Sequence, residues 1–193
     1  MITNLSAGVR AFTSNAFLVS GNRTVLVDAG ANYDVVAAIR EHVDDLDAVV
    51  LTHTHPDHVG NTDAVRDAFD VDTWGYDPSS AYVDHEVGDG DHLALGDDDY
   101  LAVHTPGHKD DHLVFYADEP GVLFAGDLVF AGGSFGRTDL EEGNRETLVE
   151  SIERVLGAVG GSGLDVAYTG HGDPIRGDVV GSIELSLRAA KTV

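Results

Sequence analysis

The stretch His53-Thr54-His55-Pro56-Asp57-His58 follows directly on residues 47–51, an apolar run that predicts a buried strand. It places three imidazoles and one carboxylate within six residues, in the predicted loop at the end of that strand. A loop anchored to a rigid strand can direct several ligands toward one point. Neutral imidazole with carboxylate suits zinc, iron or manganese rather than calcium or magnesium. The stretch therefore predicts a metal enzyme.

Length and composition limit the class of protein. The 193 residues fit a single domain covering residues 1–193, with a substantial core. We expect a cytoplasmic protein without a membrane partner, because the sequence has neither a long apolar window nor the pattern of a signal peptide. Cysteine is absent, so histidine and aspartate are the strong metal ligands available in quantity.

The charge is strongly negative. Thirty-four acidic residues give a net charge of −23, and the only lysines are Lys109 and Lys191. The acids are scattered along the chain, which predicts an acidic surface over the whole protein. The negative charges of such a surface repel one another in dilute buffer, and molar salt screens this repulsion. We therefore expect a halophilic protein from a salt-loving cytoplasm. The alternative is an ordinary acidic protein. Nucleic acid is an unfavourable partner in either case.

Apolar periodicity predicts interleaved strands and helices. A hairpin is expected from two strands at residues 16–20 and 24–28. Helices are expected at residues 33–42, 61–69, 146–156 and 178–190, and further strands at residues 47–51, 71–74, 100–103, 112–116, 122–124 and 165–168. This order favours an α/β (α+β) class with a mixed sheet covered by helices over a purely parallel sheet.

Further ligand-type residues follow three of these strands. His108 comes after residues 100–103, Asp127 after residues 122–124, and His171 after residues 165–168. Glycine lies beside each, as expected where the backbone must turn sharply close to a metal. The other histidines fit no ligand pattern and are interpreted as surface or packing residues: His42, His85, His92, His104 and His112. Of these, only His112, four residues after His108, is placed where it could reach a cleft.

Taken together, these motifs resemble the metallo-β-lactamase superfamily, whose pattern is HxHxDH followed by a distant His, an Asp and a final His. The resemblance covers essentially the whole chain. It implies a four-layer αββα sandwich with mixed sheets and two divalent metal ions, most simply zinc, with iron or manganese as alternatives, in a cleft at the edge of the two sheets. It also implies the ligands of the two ions, with Asp127 bridging both: His53, His55 and His108 for the first, and Asp57, His58 and His171 for the second.

The resemblance implies further roles. Asp57 and Asp127 would be the catalytic residues of a metallo-hydrolase, in which a hydroxide bridging the two metals attacks the substrate and Asp57 helps to orient it. Asp28 is similar to the family's supporting carboxylate, which orients a ligating histidine, although it can equally be a simple turn aspartate.

Residues 125–140 are similar to the segment after the bridging aspartate in glyoxalase II and its short, single-domain relatives, which cleave hydroxyacyl thioesters. Within this segment, Arg137 and Asp139 are interpreted as an ion pair that shapes the loop or as substrate contacts. Only 22 residues follow His171, whereas glyoxalase II has a further helical domain that helps to hold glutathione. The thiol carrier, the acyl group and the oligomeric state therefore stay open.

Two alternatives remain. Persulfide dioxygenase has the same fold and shares a Gly-Arg-Thr-Asp segment, and by resemblance its single iron would be held by His53, His108 and Asp127. A non-catalytic, metal-stabilised binding protein is the other alternative. It is disfavoured because a structural metal site closes with four ligands and has no need of a bridged pair.

Overall fold

The computed structural model describes residues 1–159 and 163–192, and the chain divides into two compact units. The first unit comprises Met1–Val87 and Leu93–Asp99, and the second comprises Gly88–His92 and Tyr100–Val193. The expectation that residues 1–193 form one domain stays a prediction. Within the part of the chain that the structure describes, no helix is both long and apolar enough to cross a membrane.

The first unit is built on a six-stranded mixed sheet in the order β1 to β6. Strand β2 pairs antiparallel with both β1 and β3, whereas β3, β4, β5 and β6 pair in parallel. The strands are β1 Ile2–Asn4, β2 Phe17–Val19, β3 Val25–Val27, β4 Ala48–Val50, β5 Thr73–Gly75 and β6 His85–Glu86.

The central strands of this sheet are short apolar runs whose residues are all buried. The hairpin predicted at residues 16–28 is confirmed, because β2 and β3 pair antiparallel. Helices α1 (Val35–Arg40) and α3 (Thr62–Phe69) contact each other. The N-terminus of α1 is capped by Asp34, whose side chain accepts a hydrogen bond from the Ala37 N–H. The core contains Leu18, Leu26, Val35, Ile39, Val49 and Val65.

The second unit contains the strand order β14-β13-β10-β9-β8. Strands β10 and β13 are parallel, and the other neighbouring pairs are antiparallel. The boundary between the units passes through β7 (His92–Leu95) and β8. The strands of the second unit are β8 Asp98–His104, β9 Leu113–Ala117, β10 Val122–Gly126, β13 Val166–Thr169 and β14 Ile175–Arg176.

Two long helices complete the second unit. Helix α4 spans Arg145–Val159 and α5 spans Val179–Thr192, and the two pack against each other. Their apolar faces enter a core that includes Leu148, Ile152 and Ile183. A small hairpin of β11 (Val129–Phe130) and β12 (Ser134–Phe135) follows β10.

Two expectations were wrong in part. The histidine motif does not lie wholly in a loop, because Pro56–Val59 form the short helix α2. Proline presets the backbone for a first helical turn, and the N–H groups of His58 and Val59 donate to the carbonyl of His55 at 2.9 and 3.2 Å. The stretch between β5 and β8, for which no strand is predicted, contains β6 and β7, which lack an extended apolar pattern.

Candidate metal centre

In the first unit, two parallel neighbours bring the candidate residues to one edge of the sheet. Strands β3 and β4 pair in parallel with Val27 opposite Val50, so their carboxyl ends coincide. Asp28 follows β3, and the motif beginning at His53 follows β4 shortly afterwards. Ligand-type side chains separated by 25 or more residues in the sequence therefore become neighbours.

Asp28 is a buried hydrogen-bond acceptor for two parts of this edge. Its Oδ1 accepts from the Thr52 N–H at 2.8 Å, and its Oδ2 accepts from the Thr52 hydroxyl at 2.7 Å. Oδ2 also lies 2.8 Å from Nδ1 of His58. A carboxylate accepts, so Nδ1 of His58 carries the proton and Nε2 presents its lone pair.

The backbone of Asp28 has a φ of 58°, in the left-handed region that costs non-glycine residues energy. This conformation is held by the Asp28 N–H, which donates to the Val50 carbonyl at 2.9 Å, and by the Ala29 N–H, which donates to the His58 carbonyl at 2.9 Å. A simple turn aspartate would not need this burial and these contacts. The geometry matches a residue that orients His58.

Four ligand-type side chains of the motif lie close together: His53, His55, Asp57 and His58. His53 and His58 are both buried. Nε2 of His53 lies 3.0 Å from Nδ1 of His55, and the rings of His53 and His58 are 4.0 Å apart. Nε2 of His58 lies 4.0 Å from a carboxylate oxygen of Asp57. Metal–nitrogen bonds of about 2.0–2.1 Å put two ligand atoms roughly 3.3 Å apart, so these separations fit a metal site.

In the second unit, β8, β10 and β13 run in the same direction, and each ends at the same edge of the sheet. His108, Asp127 and His171 follow these three ends. At Gly126 the φ is 48° and the register with β13 shifts, so the chain turns out of the sheet just before Asp127. The Gly170 N–H donates to the Gly126 carbonyl at 2.7 Å and ties the loops of Asp127 and His171 together.

Asp127 lies between two histidines. Its Oδ2 is 3.4 Å from Nε2 of His108 and 3.6 Å from Nε2 of His171. His108 donates from Nδ1 to the carbonyl of Arg137 at 2.8 Å, which leaves the Nε2 lone pair for a ligand role. One carboxylate oxygen within reach of two histidines from different loops is the arrangement that a bridging ligand requires.

Sequence reasoning missed the part played by His112. The imidazole is fully buried and its Nε2 accepts the backbone N–H of Asp127 at 3.0 Å, so it is neither a surface residue nor only a packing residue. The available signal is the spacing of four residues from His108, which points the same way only on a helix, whereas residues 112–116 predict a strand.

The loop after Asp127 passes closely over the candidate site at Gly136. A Cβ atom there would lie 2.0 Å from the Asp127 carbonyl oxygen and 3.1 Å from the His108 side chain. Beyond it, Arg137 and Asp139 form a two-pronged ion pair with both distances at 2.9 Å. The hydrogen bonds from Arg137 lower the pKa of the Asp139 carboxyl group. Both side chains are exposed.

Replacing Gly136 with alanine is expected to destabilise the protein by about 1–3 kcal/mol, because the added methyl group forces the loop away from the Asp127 carbonyl. Metal affinity is expected to fall with it. Chemical denaturation and metal titration measure the two effects. Gly157→Ala is the matched control, since its Cβ meets no atom within 4 Å and helix α4 gains about 0.5–1 kcal/mol. Equal stabilities of the two variants would contradict the close approach.

A comparison with protein families identifies the chain. The family model described as the Metallo-beta-lactamase superfamily matches residues 9–185. The chain belongs to the metallo-beta-lactamase superfamily. The family resemblance drawn from the histidine motif is thereby confirmed, and so is the predicted mixed α/β fold class of this superfamily.

Individual relatives support this placement. The chain is 36% identical over 136 residues to a hydroxyacylglutathione hydrolase of Aliivibrio fischeri, covering 69% of this chain and 52% of the relative. It thus spans about half the length of that enzyme. The crystal structure of BLEG-1, a B3 metallo-beta-lactamase, is similar at a TM-score of 0.76 and 27% identity, over 94% of this chain and 95% of that one.

A third similar protein, TTHA1623, was solved in a di-iron-bound form. It has a TM-score of 0.75 and 25% identity over 98% of this chain and 96% of that one. The superfamily binds divalent metals, and this chain carries candidate histidine and aspartate ligands in both units. The role of each individual residue stays a prediction.

Proposed function

We propose that this protein is a metal-dependent hydrolase that cleaves a hydroxyacyl thioester with the help of two divalent ions. The observation that carries the proposal is the position of Asp127, whose Oδ2 lies 3.4 Å from Nε2 of His108 and 3.6 Å from Nε2 of His171. A carboxylate shared between two ligand sets is characteristic of sites that hold a metal pair.

The ions are proposed to be zinc, with the ligands that the family resemblance implies: His53, His55 and His108 at one ion, Asp57, His58 and His171 at the other, and Asp127 at both. Three findings support this assignment. The ligand chemistry in each unit suits zinc, iron or manganese, and the family match spans both units. TTHA1623, a similar protein, was solved with two metal ions, although these are iron.

Bound divalent ions lower the pKa of water and polarise a carbonyl group, so no nucleophilic side chain is needed. The residues of the chain then hold the ions and orient the ligand side chains and the attacking water. Asp28 fixes the tautomer of His58, and the Arg137 carbonyl fixes that of His108. Asp57 is proposed to accept a hydrogen bond from the attacking water and to direct it toward the thioester carbonyl.

The thioester substrate is supported by the likeness to the Aliivibrio fischeri enzyme, whose name gives its substrate as hydroxyacylglutathione. The matched region covers 52% of that enzyme, so glutathione itself is not assumed as the thiol. A lactoyl thioester with a small thiol is the simplest probe.

The test is metal content by elemental mass spectrometry on protein purified in molar salt, combined with hydrolysis of a lactoyl thioester. We expect about two zinc ions per chain and turnover that a chelator abolishes. About one iron per chain without thioester cleavage would contradict the proposal. Oxygen uptake with a persulfide substrate would then identify a dioxygenase, and bound metal without either activity would identify a binding protein.

We also propose that the acidic composition is an adaptation to high salt. With a net charge of −23, the negative charges of the folded protein repel one another. Salt shortens the range of this repulsion from about 10 Å at 0.1 M to about 3 Å at 1 M. The midpoint of thermal unfolding is therefore expected to rise steeply between 0.1 and 2 M KCl. A midpoint that is unchanged or falls over this range would refute the adaptation.

A further inference from the structure

His112 occupies a position that metal binding does not account for. It immediately precedes β9, which pairs with β10, and its side chain is fully buried. Its ring lies perpendicular to that of His108, with the ring centres 6.2 Å apart. A buried histidine this close to a candidate ligand would ordinarily be considered a ligand itself.

Both ring nitrogens of His112 form hydrogen bonds within the protein. Nε2 lies 3.0 Å from the backbone nitrogen of Asp127, and an amide can only donate, so Nε2 is the acceptor. The proton of the neutral ring is then on Nδ1, which donates to the Thr105 hydroxyl at 2.8 Å. The Thr105 hydroxyl in turn donates to the His112 carbonyl at 3.4 Å.

This chain of bonds is closed and buried. Thr105 is fully buried, and its N–H also donates to the His112 carbonyl at 2.8 Å, which holds the two residues face to face. One tautomer satisfies all of these partners, so the ring has one orientation. Donors and acceptors that match in this way fix a buried group more firmly than a single bond does.

The group that His112 holds is the backbone of Asp127. The chain leaves the β10–β13 pairing at Gly126, so the Asp127 N–H turns away from the regular ladder and needs another acceptor. On the other side of the residue, Gly136 packs against the Asp127 carbonyl. Between these two contacts the main chain of Asp127 is held at both ends of the residue, which fixes where its carboxylate can lie.

We propose that His112 is a positioning residue: it holds the Asp127 amide and thereby keeps the carboxylate between His108 and His171. The inference rests on the proposed metal centre and deepens it. Without the acceptor, the buried Asp127 N–H lacks its partner, and the 126–127 turn relaxes to find another. The carboxylate then moves relative to the two Nε2 atoms that it now approaches at 3.4 and 3.6 Å.

The first test is on metal-free protein. Nitrogen-15 NMR is expected to show a coupling across the hydrogen bond between the Asp127 amide nitrogen and Nε2 of His112, with the ring protonated at Nδ1. This result is independent of any ion or substrate. A ring protonated at Nε2, or an Asp127 amide coupled to no imidazole, would overturn the inference.

The second test compares three variants loaded with Co(II). His112→Leu removes the acceptor and is expected to weaken Co(II) binding about 10- to 100-fold and to alter the visible spectrum. His112→Gln places an amide oxygen near the former Nε2 and is expected to restore most of the affinity. Thr105→Val removes the hydroxyl that pairs with Nδ1 and with the His112 carbonyl but leaves the Nε2 acceptor, and it is expected to give a smaller loss in the same direction.

A structural role alone would appear differently. It would lower the unfolding temperature of the metal-free protein while leaving Co(II) affinity and spectrum at wild-type values, and that result in His112→Leu would overturn the inference. The proposed function fails separately, if wild-type protein binds two ions and leaves thioesters intact. Weakened Co(II) binding in His112→Leu would support the positioning role in that case as well.

Discussion

Replacing Asp127 with alanine is expected to remove at least one of two bound ions and to lower thioester hydrolysis about 10³-fold, since metal catalysis contributes several kcal/mol of transition-state stabilisation. The reason is the position of the carboxylate, whose Oδ2 lies 3.4 Å from Nε2 of His108 and 3.6 Å from Nε2 of His171. Elemental analysis and steady-state kinetics on the same preparation measure the two losses together.

Asp67→Ala is the matched control for this experiment. It removes the same charge from an exposed position in helix α3 and is expected to keep wild-type metal content and turnover. Two ions per chain with unchanged turnover in Asp127→Ala would refute the bridging role. Loss of metal with retained turnover would refute the dependence of the reaction on that ion.

Replacing Asp28 with asparagine is expected to lower metal affinity about 10- to 100-fold, with hydrolysis falling in parallel. Asparagine tolerates the φ of 58°, so the backbone can keep its conformation. If its oxygen stays with the Thr52 N–H, the new NH₂ group faces the proton on Nδ1 of His58. Two donors cannot pair, so His58 is driven to the other tautomer, whose Nε2 carries a proton in place of the lone pair.

Asn32→Asp provides the control for Asp28→Asn. It makes the reverse exchange at an exposed residue that has a φ of 63°. We expect metal affinity and turnover to stay at wild-type values. Chelator competition measures the affinities, and thermal unfolding of the metal-free proteins separates loss of fold from loss of metal. Wild-type metal affinity in Asp28→Asn would mean that metal binding does not depend on Asp28 holding the proton on Nδ1 of His58.

Much of the fold could be predicted because local patterns are strong where strands are buried. Residues 24–28 and 47–51 are short apolar runs, and both became central strands. Two of the strands that escaped prediction, β6 (His85–Glu86) and β14 (Ile175–Arg176), have two residues each and owe their conformation to a neighbouring strand. Pairing of this kind leaves no local pattern to detect.

The sequence by itself determined which ligand-type residues follow strands, since His53, His108, Asp127 and His171 stand beside apolar runs that can be recognised locally. Only the tertiary structure decided which atoms meet. Parallel pairing of β3 with β4 brings Asp28 to His58, and the turn at Gly126 brings the Asp127 amide to His112. Hydrogen bonds between residues 15 to 30 positions apart depend on strand register and ring orientation, which only the packed sheet sets.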